Sequence, residues 1–191
     1  MSTSATPYGM RPLTHNSADV RPKAIDNGIA SGYASAIYFN APVQITTTGV
    51  LNVATTTSLI CGVFAGCRYK PDSTSLYVES QYWPASQTYV AGTMTAYVIG
   101  YDDPQVLYRV QANGSLTQAS IGDQGAFVNP SSGSNQFSLA ALNSTLVGAT
   151  NTGQLRILDI LPTPNNSWGD SYTDVVVQIA GHQFYPQAVA V

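Results

Sequence analysis

The sequence predicts an all-β protein, a small antiparallel β-barrel or sandwich with an extended N-terminal arm, and three observations lead there. From about Tyr33 the chain runs in short stretches rich in Val, Ile, Tyr and Thr, broken by Gly, Asn-Gly and Asp-Pro at the spacing of antiparallel sheets. Within Val106 to Leu116, Val106, Tyr108 and Val110 alternate with Leu107, Arg109 and Gln111 ahead of Asn113-Gly114, the pair preferred in a two-residue type I′ turn. Neither an internal repeat nor a heptad is present, which excludes solenoids and coiled coils.

Residues 1–32 read as the arm. Arg11-Pro12, Arg21-Pro22 and Asn27-Gly28 interrupt any period of 2 or 3.6, and each proline biases the residue before it towards extended backbone. Residues 33–191 read as the antiparallel β-domain, which is expected to fold without the arm. Pro42 to Val53 predicts a hairpin, with Val43 and Ile45 going out, a Thr47-Thr48-Gly49 turn, and Leu51 and Val53 returning. Leu59 to Tyr69, small and apolar with Gly62 and Gly66, predicts a central strand where backbones pass closely. Val106 to Leu116 predicts a second hairpin turning at Asn113-Gly114. Met94 to Tyr101 and Thr173 to Phe184 predict further strands, the latter buried on both faces. Residues 129–136, containing Pro-Ser-Ser-Gly-Ser, read as a loop excursion, and Phe137 to Leu146 as a strand or one short helix.

A chain of 191 residues suits one ordinary domain and can bury on the order of 70 % of its unfolded surface without staples. Only 9 % of residues are charged, against roughly 25 % in an average soluble domain, so Ser, Thr, Asn, Gln and Gly must cover the surface. Twelve tyrosines exclude a disordered composition. A net charge of −3 with seven Lys and Arg removes the basis for tight phosphate-backbone binding, so no direct nucleic-acid partner is expected. No apolar run approaches the ~20 residues of a membrane span, and no membrane partner is expected. Met1 to Gly9 lacks the basic start and apolar core of a secretory leader. Cys61 and Cys67 share a strand at a spacing that holds them about 20 Å apart, so they read as buried free thiols and point to synthesis in a reducing cytoplasm.

Catalysis needs titratable groups brought together, and the chain offers two His, one Glu and nine Asp. His15 and His182 lack the spacing of a zinc pair, so no metal and no cofactor is expected. Asp102-Asp103-Pro104 reads as a turn, since adjacent side chains of an extended chain face opposite ways. Gly28-Ile-Ala-Ser-Gly32 places its serine one position too late for a nucleophile elbow, and no phosphate-binding glycine loop occurs. No catalytic residue is assigned, and the expectation is a non-enzyme. Three Asn-x-Ser/Thr matches, at Asn113, Asn143 and Asn165, are what chance gives in such a composition, and Asn113 reads as a turn residue. Tyr82, Trp83 and Trp168 lie in polar, loop-like settings where they could stack on sugars or anchor a protein interface.

Several strings carry a resemblance: Thr6-Pro-Tyr-Gly-Met-Arg-Pro-Leu13, Arg21-Pro-Lys-Ala-Ile25, Ile29-Ala-Ser-Gly-Tyr33, Gly62-Val-Phe-Ala-Gly66 and Tyr101-Asp-Asp-Pro104. Ile121-Gly-Asp-Gln124, Gly153-Gln-Leu-Arg-Ile157, Pro164-Asn-Asn-Ser-Trp-Gly-Asp170 and Val177-Gln-Ile-Ala-Gly-His-Gln183 continue it over nearly the whole chain. Together they resemble small virion structural proteins of tailed phages that decorate or cement the head. The resemblance implies a non-enzymatic protein on the outer capsid surface, with the major capsid protein and itself, as a homotrimer, for partners. On that reading Tyr8, Met10 and Leu13 of the arm supply apolar anchors, while Arg11, Arg21 and Lys23 pair with acidic groups on the capsid. The competing expectations are another virion part, such as a head-tail or fibre-base protein, and a carbohydrate-binding module or hydrolase subunit.

Overall fold

The computed structural model describes residues 4–15, 19–74, 76–148 and 151–186. Residues 1–3 and 16–18 of the expected arm, and 187–191 at the end of the expected β-domain, lie outside that set. Strands follow in chain order as β1 (Arg11–Thr14), β2 (Pro22–Asp26), β3 (Pro42–Ile45), β4 (Leu51–Val53), β5 (Gly62–Tyr69), β6 (Val78–Ser80), β7 (Thr95–Ile99) and β8 (Leu107–Gln111). The second half adds β9 (Gln124–Gly125), β10 (Phe127–Val128), β11 (Gly133–Ser134), β12 (Phe137–Ser138), β13 (Ala141–Leu142), β14 (Leu155–Ile160) and β15 (Asp174–Ile179). The only helix among the described residues is a single 3-10 turn at Gln118–Ser120. The all-β expectation therefore holds, and Phe137 to Leu146 is strand and loop.

Two antiparallel sheets organise the chain. A five-stranded sheet runs β1-β8-β15-β14-β9, and a six-stranded sheet runs β2-β7-β5-β3-β4 with β6 also paired to β5. Neither sheet closes on itself, since each ends in edge strands, so of the two expected architectures the sandwich is the compatible one. The β3/β4 hairpin forms where its turn residues place it, with Thr46 N–H donating to Val50 O at 2.8 Å and Gly49 at φ 80°. In β5, Gly62 and Gly66 take φ of 147° and 133°. A side chain at Gly62 would run into the carbonyl of Ile99 on β7, so the close backbone passage expected there is real. Gly66 sits where the register against β7 slips by one residue.

Each sheet covers its own core. Alternation turns Tyr108, Val110, Val175, Val177, Leu155 and Ile157 inward onto Met10, Ile60, Phe127 and Leu142. The six-stranded sheet packs Val43, Leu51, Phe64, Ala96 and Val98 against Ile29, Ile37 and Trp83, which arrive on loops. The two cores meet where the Tyr108 hydroxyl donates to Ile99 O at 3.3 Å.

Three expectations need correction. Within the expected arm, Arg11–Thr14 and Pro22–Asp26 are strands woven into the domain: β1 is hydrogen-bonded to β8 and β2 to β7, one in each sheet. The prolines that suggested a free arm are tolerated because both strands lie at sheet edges, where a missing N–H costs least. Asn113-Gly114 is not a type I′ turn, since neither residue has a positive φ. Both neighbours of β8 are distant in sequence, and the chain leaves β8 so that Asn113 can bond Leu142 O and Ser144 N–H. Finally, β15 buries one face only: Val175, Val177 and Ile179 are inside, while Asp174, Val176 and Gln178 are half-buried on the other side.

Candidate functional site

Alternation in β8 buries Tyr108 and Val110 and so turns Arg109 to the outer face of the five-stranded sheet. Pairing with β1 then sets Arg11 directly opposite Arg109. Like charges facing one another across a strand pair repel, so the arrangement requires a compensating group. Tyr8 supplies it. The Arg11 guanidinium lies 5.1 Å from the Tyr8 ring centroid and that of Arg109 5.5 Å, so the negative face density of one ring serves two cations.

The Tyr8 hydroxyl donates to Asp174 Oδ1 at 3.0 Å. Burial, reinforced by the Asp174 charge, pushes the Tyr8 phenol far above its ordinary pKa, so the ring stays a neutral donor. Burial also raises the Asp174 carboxyl, against the opposing pull of the Tyr8 hydrogen bond and the Arg109 charge. Neither Arg11 nor Arg109 has an ion-pair partner among the described residues, and the buried Arg11 Nε has no acceptor. Register places Arg156 of β14 on the same outer face, opposite Gln178.

The residues expected to touch a partner are thus redistributed. Tyr8 and Arg11 come together with Arg109. Leu13, 40 % exposed, meets Arg21 across a shallow depression that Asp19 and Val20 also line. Arg21 pairs with Asp19 at 3.3 Å and Lys23 with Asp102 at 3.1 Å, so both already have carboxylates within the chain. Met10 is fully buried in the first core and cannot anchor a partner. The aromatic candidates fare similarly: Trp83 is fully buried, Trp168 packs half-buried on the first core, and Tyr82 is half-buried and stacks on Tyr38 at 5.7 Å. Trp83 is enclosed despite its loop setting because loops carrying it, Ile29 and Ile37 supply the opposite wall of the second core.

A second surface feature escaped the sequence. Leu76, Tyr77 and Val78 are 76 %, 53 % and 36 % exposed at the edge strand β6, where Arg68 lies 4.5 Å over the Tyr77 ring. Leu-Tyr-Val inside a polar stretch is the signal that could have found it.

Asp103 accepts from Gln105 N–H at 2.9 Å, forming the expected turn before Pro104, and also pairs with His15 at 3.0 Å. Cys61 and Cys67 are free and buried, and burial pushes both thiols up to about 12. Among the described residues no group of three His, Cys, Asp or Glu could hold a metal ion, and no helix is long and apolar enough to cross a membrane.

His182 is 2 % exposed. Its Nδ1 accepts from Phe184 N–H at 3.2 Å, which leaves Nε2 as the donor to Gly100 O at 2.9 Å and defines a neutral ring. Burial holds its pKa below the ordinary imidazole value, although the Gly100 carbonyl and Asp103 oppose this. The unfolded chain therefore takes up a proton near pH 6.5 that the folded chain refuses, and stability should fall as pH drops below about 6.5. Asp174, whose carboxyl is raised, contributes with the opposite sign, so the diagnostic quantity is a difference. The expected result is that melting temperature falls from pH 7.5 to 5 in the native chain, and falls less in His182→Gln. Parallel curves would mean that the ring does not titrate as its geometry requires.

No family model matches the chain, and neither a search of curated proteins nor one of solved structures finds a match.

Proposed function

We propose that the chain is a non-enzymatic virion structural protein that binds the outer surface of a tailed-phage capsid and cements the shell, acting as a homotrimer with the major capsid protein as partner. The observation that carries this reading is the outer face of the five-stranded sheet, where Tyr8 gathers Arg11 and Arg109, neither with an ion-pair partner among the described residues, in a chain poor in charge. Such a constellation suits recognition, because arginine and tyrosine are the residue types that concentrate binding energy at interfaces. The exposed Leu76, Tyr77 and Val78 supply a separate patch suited to contact between copies. The sequence resemblance adds the capsid as the partner. A protein that binds only the assembled, expanded shell stabilises it by mass action.

The reading is tested by adding purified protein to expanded capsids assembled without it. The expected results are saturable co-sedimentation and a higher temperature of shell disruption. Protein that stays in the supernatant at micromolar concentration would count against the capsid as partner.

One observation favours a second reading, a carbohydrate-binding module. A groove of about 590 Å³ runs between the β3/β4 hairpin and residues 129–132, lined by Tyr33, Gln44, Asn52, Thr55, Asn129 and Ser131 among others, with no charged residue. Saturable binding on a glycan array, lost in Asn52→Ala, would place this reading first.

A further inference from the structure

We propose that Arg11 and Arg109 form a carboxylate clamp that docks an acidic segment of a partner protein on the outer face of the five-stranded sheet. The inference rests on the capsid-coating reading only for the identity of that partner.

Charge complementarity selects the occupant. Of the chain's seven cations, Arg21, Lys23 and Arg68 are already matched by Asp19, Asp102 and Glu79. Arg11 and Arg109 face each other on paired strands with no ion-pair partner among the described residues, although both are half-buried and held in place. Asp174, whose carboxyl feels the Arg109 charge, already accepts the Tyr8 hydroxyl, and burial disfavours its charge. Two adjacent guanidiniums are therefore left without a carboxylate at ion-pair distance among the described residues.

Tyr8 fixes the geometry. With its hydroxyl tied to Asp174, the ring holds both guanidiniums against it, so little side-chain entropy remains to be lost on docking. A planar guanidinium offers parallel N–H donors that match a carboxylate in a two-pronged bond. The floor around the pair is Leu107 and Val176, both half-buried, which favours a peptide segment with apolar neighbours beside its acid. A nucleic-acid backbone would require cations spread along its length, and only Arg156 joins the pair on this face.

The test uses the full chain and two probes, soluble polyglutamate and duplex DNA, with binding followed by calorimetry at several salt concentrations. Polyglutamate is expected to bind, about tenfold or more weaker for Arg109→Gln and for Arg11→Gln, unchanged for Lys70→Gln, and more weakly as salt rises. Arg109→Lys, which keeps the charge and loses the fork, should fall between native and Arg109→Gln. It keeps the test valid if the glutamine variant melts early. Failure of polyglutamate to bind, binding indifferent to both arginines, or tighter binding of DNA at the same salt would each overturn the clamp. The same variants, tested for capsid coating, separate the two proposals. Arginine-dependent polyglutamate binding without coating keeps the clamp and removes the capsid, whereas coating indifferent to both arginines keeps the capsid and removes the clamp.

Discussion

Deleting residues 1–26 is expected to abolish the cooperative unfolding transition, leaving a chain that melts without a sigmoid and binds hydrophobic dyes. The deletion removes both β1 and β2. It strips Met10, fully buried, from the first core, where loss of a methionine side chain alone costs about 2–5 kcal/mol. Five consecutive pairs between β2 and β7, from Pro22 opposite Ile99 to Asp26 opposite Thr95, vanish with it. The backbone edges of β7 and β8 are then bared at once, and unpaired edges of apolar strands invite aggregation. Against a whole-domain stability of about 5–15 kcal/mol, losses on this scale in both sheets leave no folded state to melt. Circular dichroism during a thermal ramp, with size-exclusion chromatography before it, checks the outcome. A truncated protein that stays monomeric and melts within a few degrees of the full chain would mean that the two strands are peripheral after all.

What the sequence disclosed depended on how local each interaction is. The β3/β4 hairpin was legible because its turn, Thr47-Thr48-Gly49, and both its strands lie within twelve residues, and Gly62 and Gly66 announced a crowded backbone by lacking side chains. The strands β1 and β2 were not, because four or five residues with a proline and a cation carry no alternation of their own. Each is ordered by a partner, β8 or β7, far along the chain. Asn113-Gly114 misled for the same reason: the pair is compatible with a hairpin, but the strand before it found both its neighbours elsewhere. The candidate site divides likewise. Tyr8 and Arg11 could be named as recognition residues from their types, whereas Arg109 joins them only through the register of β1 on β8, which no local pattern encodes. Burial was the hardest property to read. Met10 and Trp83 sit among polar neighbours in sequence and are fully enclosed in space.

Trp83→Ala is expected to cost about 3–5 kcal/mol, the range for emptying a buried aromatic site. Trp83 is the largest fully buried side chain, bridged antiparallel to Ile37 and wedged between Tyr69, 5.0 Å away edge-on, and Tyr89, 6.0 Å away. Neither neighbour can collapse into the space, because the Tyr89 hydroxyl is held by Ile29 O at 2.6 Å and Tyr69 lies in the paired strand β5. Trp83→Phe should be far milder. The indole Nε1 is buried without an acceptor, so phenylalanine keeps much of the apolar contact and removes a donor whose desolvation is uncompensated. The two variants together distinguish a core residue from an interface anchor. A core residue lowers the denaturant midpoint in the order Ala far below Phe, with partner affinity intact at temperatures where the protein is folded. An anchor would leave the midpoint unchanged and weaken partner binding in both variants, and that pattern, seen by urea titration alongside capsid co-sedimentation, would contradict the placement of Trp83 at the centre of the second core.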